Sequence, residues 1–254
     1  MNRIQGVAIA TALLGGVVGF CQLQPKEDPA GVPLTAEAHH HLVFSNKEVR
    51  AFYVVIPSKD RTLIHRHDVD YVWVGIGNGK VVNITVNGPT RHLDSKDAAL
   101  HFTRGPLAHF ALNEGDTLYR NVTIELLKKQ NNPRNLCDQV IEDEPIACTA
   151  ATSGEFTLKD NVRARPEFET DEIRFDLLTL GSSEQTELRR SETPPLVVAL
   201  DNTTAEAIQK SVGGSAISRD LKDGNVMSPE AGSSLTLKNT GASDARFLVF
   251  EFKN

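Results

Sequence analysis

The chain has 254 residues, 40% of them hydrophobic and 24% charged, which is enough apolar content to exclude a largely disordered polypeptide. Its length suits two ordinary domains or one large β domain. With 27 basic against 33 acidic side chains, a net charge of −6 and no cluster of Lys or Arg, it lacks the electrostatic grip a nucleic-acid partner requires.

Residues 1–21 read as an export signal. Arg3 gives a positive start, and residues 7–19 form an apolar stretch too short to span a bilayer comfortably and without a basic stop-transfer flank. Val17 and Gly19 suit the small-residue positions before a cleavage point, so that Phe20 begins the mature chain. Lipidation of Cys21 is a second reading, disfavoured by the bulk of Phe20 beside it; an uncleaved anchor is disfavoured further. The expected location is therefore periplasmic or secreted, with no membrane span in the mature chain. Cys137 and Cys148 enclose ten residues, DQVIEDEPIA, and in that compartment they read as a disulfide. A loop that short would stabilise the fold by roughly 2–3 kcal/mol.

Beyond residue 40 the hydrophobicity alternates in short runs: AFYVVIP (51–57), YVWVGIG (71–77), KVVNITVNG (80–88), NVTIELL (121–127), LVVAL (196–200) and FLVFEF (247–252). β-branched residues at period two mark strands. TTAEAIQKS (203–211) is the best helix candidate, and it is short. The pattern predicts an all-β protein of sandwich or barrel type.

The chain also repeats. Phe44, Glu48, Val49 and Arg50 recur as Phe168, Glu172, Ile173 and Arg174, an offset of 124, and YVWVGIGN (71–78) lies over PLVVALDN (195–202). NEGDTLYRNVTIEL (113–126) resembles NTGASDARFLVFEF (239–252) at an offset of 126. These blocks predict a β domain at 38–128, a linker carrying the disulfide at 129–161, and a second β domain at 162–254.

Chemistry concentrates in the first copy. In LIHRHDVDYVWVGIG (63–77), His65 and His67 stand one residue apart on a strand, so both imidazoles share a face. His109 lies in RGPLAHFALN (104–113), on a distant strand. Three neutral nitrogens converging inside a barrel, with positions left open, suit a borderline divalent metal. At these residues the sequence resembles the cupins, whose first motif carries HxH, then Glu, before a Gly, and whose second ends in PxGxxH with Asn four residues on. His65, His67 and the glycines from Gly75 to Gly79 match the first motif; Gly105 and Pro106 match the second loosely, His109 and Asn113 well.

The resemblance implies two tandem cupin-type β-barrel or jelly-roll domains in a bicupin arrangement. It implies a divalent transition metal (Fe, Mn, Ni or Zn) held by His65, His67 and His109. The family Glu falls at Tyr71 or Val72, so the fourth position stays open, and Asp70 is near it. In the second copy the matching positions hold Arg189, Ser191 and Leu235, while Pro229, Gly232 and Asn239 persist. That barrel reads as a degenerate partner.

Asp70, Tyr71, His101 and Asn113 are candidate pocket residues, and Trp73, Phe102 and Phe110 either shape the pocket or pack the core. His39, His40 and His41 read as an exposed run, His92 as surface, and the N-x-T triplets at Asn83, Asn121 and Asn202 as strand composition. No GxSxG, P-loop, dinucleotide fingerprint or zincin helix is present. The expected function is metal-dependent action on a small molecule, of oxygenase, isomerase or hydrolase type. The alternatives are a metal-free barrel that binds a small molecule or partner without catalysis, and a surface or assembly protein. The expected assembly is a monomer with pseudo-two-fold barrels, or a dimer.

Overall fold

The alternating runs form strands throughout a computed structural model that describes residues 30–136, 154–188 and 192–253. The predicted signal with Cys21, the cysteines Cys137 and Cys148, and the positions Arg189 and Ser191 lie outside the described residues.

The first barrel contains β1 (Val32–Pro33), β2 (His40–Ser45), β3 (Val49–Ile56), β4 (His65–His67), β5 (Tyr71–Gly75), β6 (Gly79–Thr85), β7 (Thr90–Ser95), β8 (Leu100–Thr103), β9 (Leu107–Asn113) and β10 (Tyr119–Leu126). Two five-stranded sheets face each other, in the orders β1-β4-β9-β6-β7 and β2-β3-β10-β5-β8. The rest of the chain supplies β11 (Arg134–Asn135), β12 (Phe156–Lys159), β13 (Val162–Glu169), β14 (Ile173–Leu180), β15 (Gln185–Leu188), β16 (Leu196–Ala199), β17 (Thr204–Lys210), β18 (Ala216–Lys222), β19 (Val226–Met227), β20 (Ser234–Asn239) and β21 (Ala245–Phe252). Its sheets run β11-β13-β14-β21-β16-β19, with β12 on β13, and β15-β20-β17-β18.

Strand for strand, the second set repeats the first. β10 pairs with β3 as β21 pairs with β14, with Tyr119 opposite Ile56 and Ala245 opposite Leu180. Residues up to β6 map by adding 124, those of β7 by adding 128, and those after β7 by adding 126. Asn83 faces Arg91 where Ala207 faces Arg219, so the second β-hairpin is four residues longer. The tandem all-β architecture read from the sequence is the observed one.

The segment read as a helix is β17. Its Ala205 and Ala207 are buried while Thr204 is exposed and Glu206 half-buried, a strand alternation. Pairing on both edges, with β18 and β20, overrides the helix preference of Ala, Glu and Gln. No helix among the described residues is long and apolar enough to cross a membrane.

The barrels pack sheet to sheet. One core joins Val72, Phe102, Val122 and Ile124 of the first barrel to Phe168, Phe175, Val198 and Phe250 of the second. Arg120 pairs with Asp223, and Arg246 with Asp97. Each residue of one pair is the other's partner shifted by 126, so the contact has a pseudo-two-fold axis. Each barrel also fills its own interior, the first around Phe52, Ile56 and Trp73, the second around Leu180, Leu235 and Phe247.

Candidate metal centre

β4 alternates so that His65 and His67 point inward, each 1% exposed, while Arg66 points out. The strand is seated from one edge by β1, with Val32 opposite His65. Gly31 makes that approach possible: its φ is +77°, and a Cβ there would lie 2.9 Å from the His65 carbonyl carbon. On the other edge β9 places His109 directly across from His65.

The three imidazoles offer ligand atoms that all lie within 4.8 Å of one another. His65 donates from Nδ1 to the Leu63 carbonyl at 2.9 Å, which fixes its tautomer and leaves Nε2 as the lone pair. Nε2 of His67 and Nε2 of His109 face each other at 3.2 Å. Among the described residues, His65 Nε2 and His67 Nδ1 have no hydrogen-bond partner. Burial holds His65 down to about 3, with the neighbouring His40 adding to the effect. Burial also keeps His67 and His109 well below the usual imidazole value, helped by the other rings of the cluster. All three are therefore neutral at neutral pH, the form that ligates metals. The unpartnered Nε2 of His65, converging with the facing Nε2 atoms of His67 and His109, fits a divalent ion.

Two carboxylates outside the cupin motifs support the cluster. Glu125 on β10 is 1% exposed, pairs with Arg50 at 2.8 Å, and brings Oε1 to 3.9 Å from the outer nitrogen of His67. Burial pushes its pKa up, against the pull of Arg50. The signal for it was a Glu at period two from Asn121 and Thr123 inside an apolar strand. Glu37 lies before β2 and accepts from His40 Nδ1 (2.6 Å), His39 Nδ1 (3.0 Å), the His39 amide (2.9 Å) and the Leu63 amide (3.2 Å). Burial alone would raise its pKa, but the hydrogen bonds from His40 and His39 hold it at about 2.

The histidine run is accordingly different from the exposed run expected of it. β2 turns His40 inward, leaving His39 half-buried and His41 exposed. The His40 ring sits 4.6 Å from that of His65, much as His65 and His109 sit 4.5 Å apart.

The other candidates divide. Tyr71 stacks on His67 at 3.8 Å. His101 stacks on Trp73 at 3.6 Å, and both line a cavity of about 190 Å³ that reaches His109. Asp70 faces elsewhere: it accepts from Arg104, the Gly105 amide and the Gln130 amide, and lines a different cavity. Asn113 ties a turn, donating to the carbonyls of Ile56, Pro57 and Thr117 and accepting from the Gly115 amide. Asn239 makes the same four bonds in the second barrel, to Leu180, Gly181, Ser243 and Gly241, which explains its presence in both copies. Phe102 belongs to the core between barrels, and Phe110 lies under Arg61. His92 is exposed beside Glu114. Asn83 and Asn121 line the histidine cavity, and Asn202 sits in a turn with φ +60°.

No family model matches the sequence, and a search of curated proteins finds no match. Solved structures do match. AerE from Microcystis aeruginosa superposes with a TM-score of 0.61 at 12% identity, over 89% of this chain and 98% of that one. A salicylate 1,2-dioxygenase from Pseudaminobacter salicylatoxidans gives 0.57 at 13%, over 82% and 75%. An oxalate decarboxylase from Lactobacillus farciminis, in a formate complex, gives 0.54 at 10%, over 82% and 78%. The fold is a bicupin. The histidine cluster thus occupies the interior of the first cupin barrel, and the second cupin barrel has Leu235 where the first has His109.

Proposed function

We propose that the first cupin barrel is a divalent-metal site acting on a small molecule, in a protein that residues 1–21 direct to export. The observation that carries this reading is the convergence of His65, His67 and His109, neutral and buried, with Nε2 of His65 unpartnered. The cavity around them measures about 30 Å³, room for an ion and about one water-sized ligand. The adjoining cavity of about 190 Å³, lined by Tyr71, Trp73, Arg91, His101 and Thr103, would receive the substrate. That volume is below the roughly 300–1,000 Å³ of drug-sized pockets, which favours a compact polar molecule.

A bound metal would supply Lewis acidity toward an oxygen atom of the substrate or of water. The chain's own groups do the rest. Leu63 fixes the His65 tautomer, Tyr71 holds the plane of His67, and Glu125 stands behind the His67 outer nitrogen, as carboxylates behind ligating histidines do. Trp73 and His101 wall the substrate cavity with flat apolar and polar surface. The oxygenase and decarboxylase among the structural neighbours show the same fold hosting small-molecule chemistry. In the exported protein Cys137 and Cys148 form the disulfide, which intact-mass measurement before and after reduction checks.

The test is to load the purified protein separately with Fe, Mn, Ni and Zn and to follow turnover of a panel of small organic acids and phenols. The reading predicts that one metal form turns over a member of the panel and that His109→Ala abolishes it. Turnover that survives His109→Ala would overturn the assignment of this site, and metal-free protein that binds panel members equally well would make it a binding barrel.

A further inference from the structure

His40 is a buried imidazole that the three-histidine cluster does not use. Its Nδ1 donates to a buried carboxylate whose two oxygens already accept from His39 and Leu63, so that oxygen can only accept and His40 must carry its proton on Nδ1. In the neutral imidazole Nε2 then bears the lone pair, on the ring edge away from Glu37. The ring is 9% exposed and lines the same cavity as His65, His67 and His109. It nevertheless lies outside the group of nitrogens within 4.8 Å of one another. His40 is therefore too far to join the donor set and near enough to meet whatever the donor set binds. In the second barrel the same position, opposite Leu178 as His40 is opposite Val54, is Ala164.

Building on the metal reading above, we infer that the Glu37–His40 dyad is a hydrogen-bond acceptor for a protic ligand bound at the open position of the three-histidine site. Glu37 acts through His40 and is a positioning residue; His40 touches the ligand. The site would accordingly favour a small molecule that keeps an N–H or O–H when bound over one that has none.

The experiment uses Zn-loaded and Co-loaded full-length protein, in wild type, His40→Ala and Glu37→Gln. Nitrogen NMR of the zinc form should find His40 protonated on Nδ1 in wild type, and a tautomer mixture in Glu37→Gln. In the cobalt form, visible absorption should show acetohydroxamate, which keeps an N–H when bound, weakened roughly 10- to 100-fold by His40→Ala. Azide, which offers no proton, should bind as before, and metal affinity should be unchanged. His40→Phe, which fills the space without an acceptor, gives the same loss if His40→Ala does not fold. A proton on Nε2 in wild type, an unchanged acetohydroxamate affinity, or equal losses for both probes would overturn the inference. Metal lost with His40→Ala would also overturn it, by making His40 a ligand. Wild-type protein that takes up neither metal overturns the metal reading itself.

Discussion

The two barrels share strand order and register, and they differ in what fills them. Five inward positions of the first barrel, His40, Asn83, His109, Asn121 and Thr123, become Ala164, Ala207, Leu235, Phe247 and Val249 in the second. All five replacements belong to one apolar cluster. A barrel closed by backbone pairing can thus hold either a polar site or an oily plug, and its own stability favours the plug. Burying imidazoles and amides is costly unless they find partners, so the first barrel gives up stability for a site and the second supplies it. Their shared core and reciprocal Arg–Asp pairs let one support the other.

The largest expected effect comes from making the second barrel resemble the first. Phe247→Asn should cost at least about 4 kcal/mol, from lost packing and an unsatisfied amide, read from denaturant midpoints. The reverse exchange, Asn121→Phe, is predicted to cost less, about 1–3 kcal/mol, from overpacking a cavity of about 30 Å³ and losing the hydrogen bond from Thr123. Equal costs would mean that the two interiors are not different in kind.

The second expected effect is opposite responses to acid. In the first barrel His65 is held at about 3, so the folded state binds fewer protons than the unfolded chain below the usual imidazole value of 6.5. Its stability should fall as pH drops from 6.5 toward 3, by up to about 1.4 kcal/mol per unit. In the second barrel burial pushes Glu167 up to about 7, against the pull of Arg165. A raised carboxyl gives stability that is full below its unfolded value of 4.5 and lost as pH rises through 7. Hydrogen exchange at pH 4 and pH 7.5 should show β4 and β9 losing protection in acid while β13 and β14 gain it. Glu167→Gln should flatten the second response alone.

The smallest effect concerns the seam. Arg120 and Arg246 are partly exposed, so Asp223→Ala should cost about 0.5–1 kcal/mol, and Asp97→Ala more, because Asp97 also accepts from the Gly77 amide while Arg120 keeps Asp201. Equal costs would show that the backbone contact of Asp97 contributes nothing.

Much of this was legible from residue order, because strands leave a period-two trace and a duplication leaves an offset. The HxH pair and His109 were visible because side-chain alternation alone sets a face. Glu37 and His40 were not: Glu37 lies before β2 and His40 opens it, and their meaning depends on a turn that brings a carboxylate under an imidazole. Glu125 was hidden inside an apolar strand, where only the third dimension places it behind His67. Asp70 drew attention by its nearness to HxH in the chain, yet the turn after β4 carries it to Arg104 and Gln130. Residues 203–211 misled because local helix preference is weak beside pairing on two edges.

The central claim, that one barrel holds a metal and the other does not, is tested most directly by elemental mass spectrometry on untagged protein after each of Fe, Mn, Ni and Zn has been offered. The account predicts about one ion per chain in wild type, lost in His67→Ala and retained in Glu167→Gln. An ion content that is the same in His67→Ala, or no ion in wild type under any loading, would contradict it.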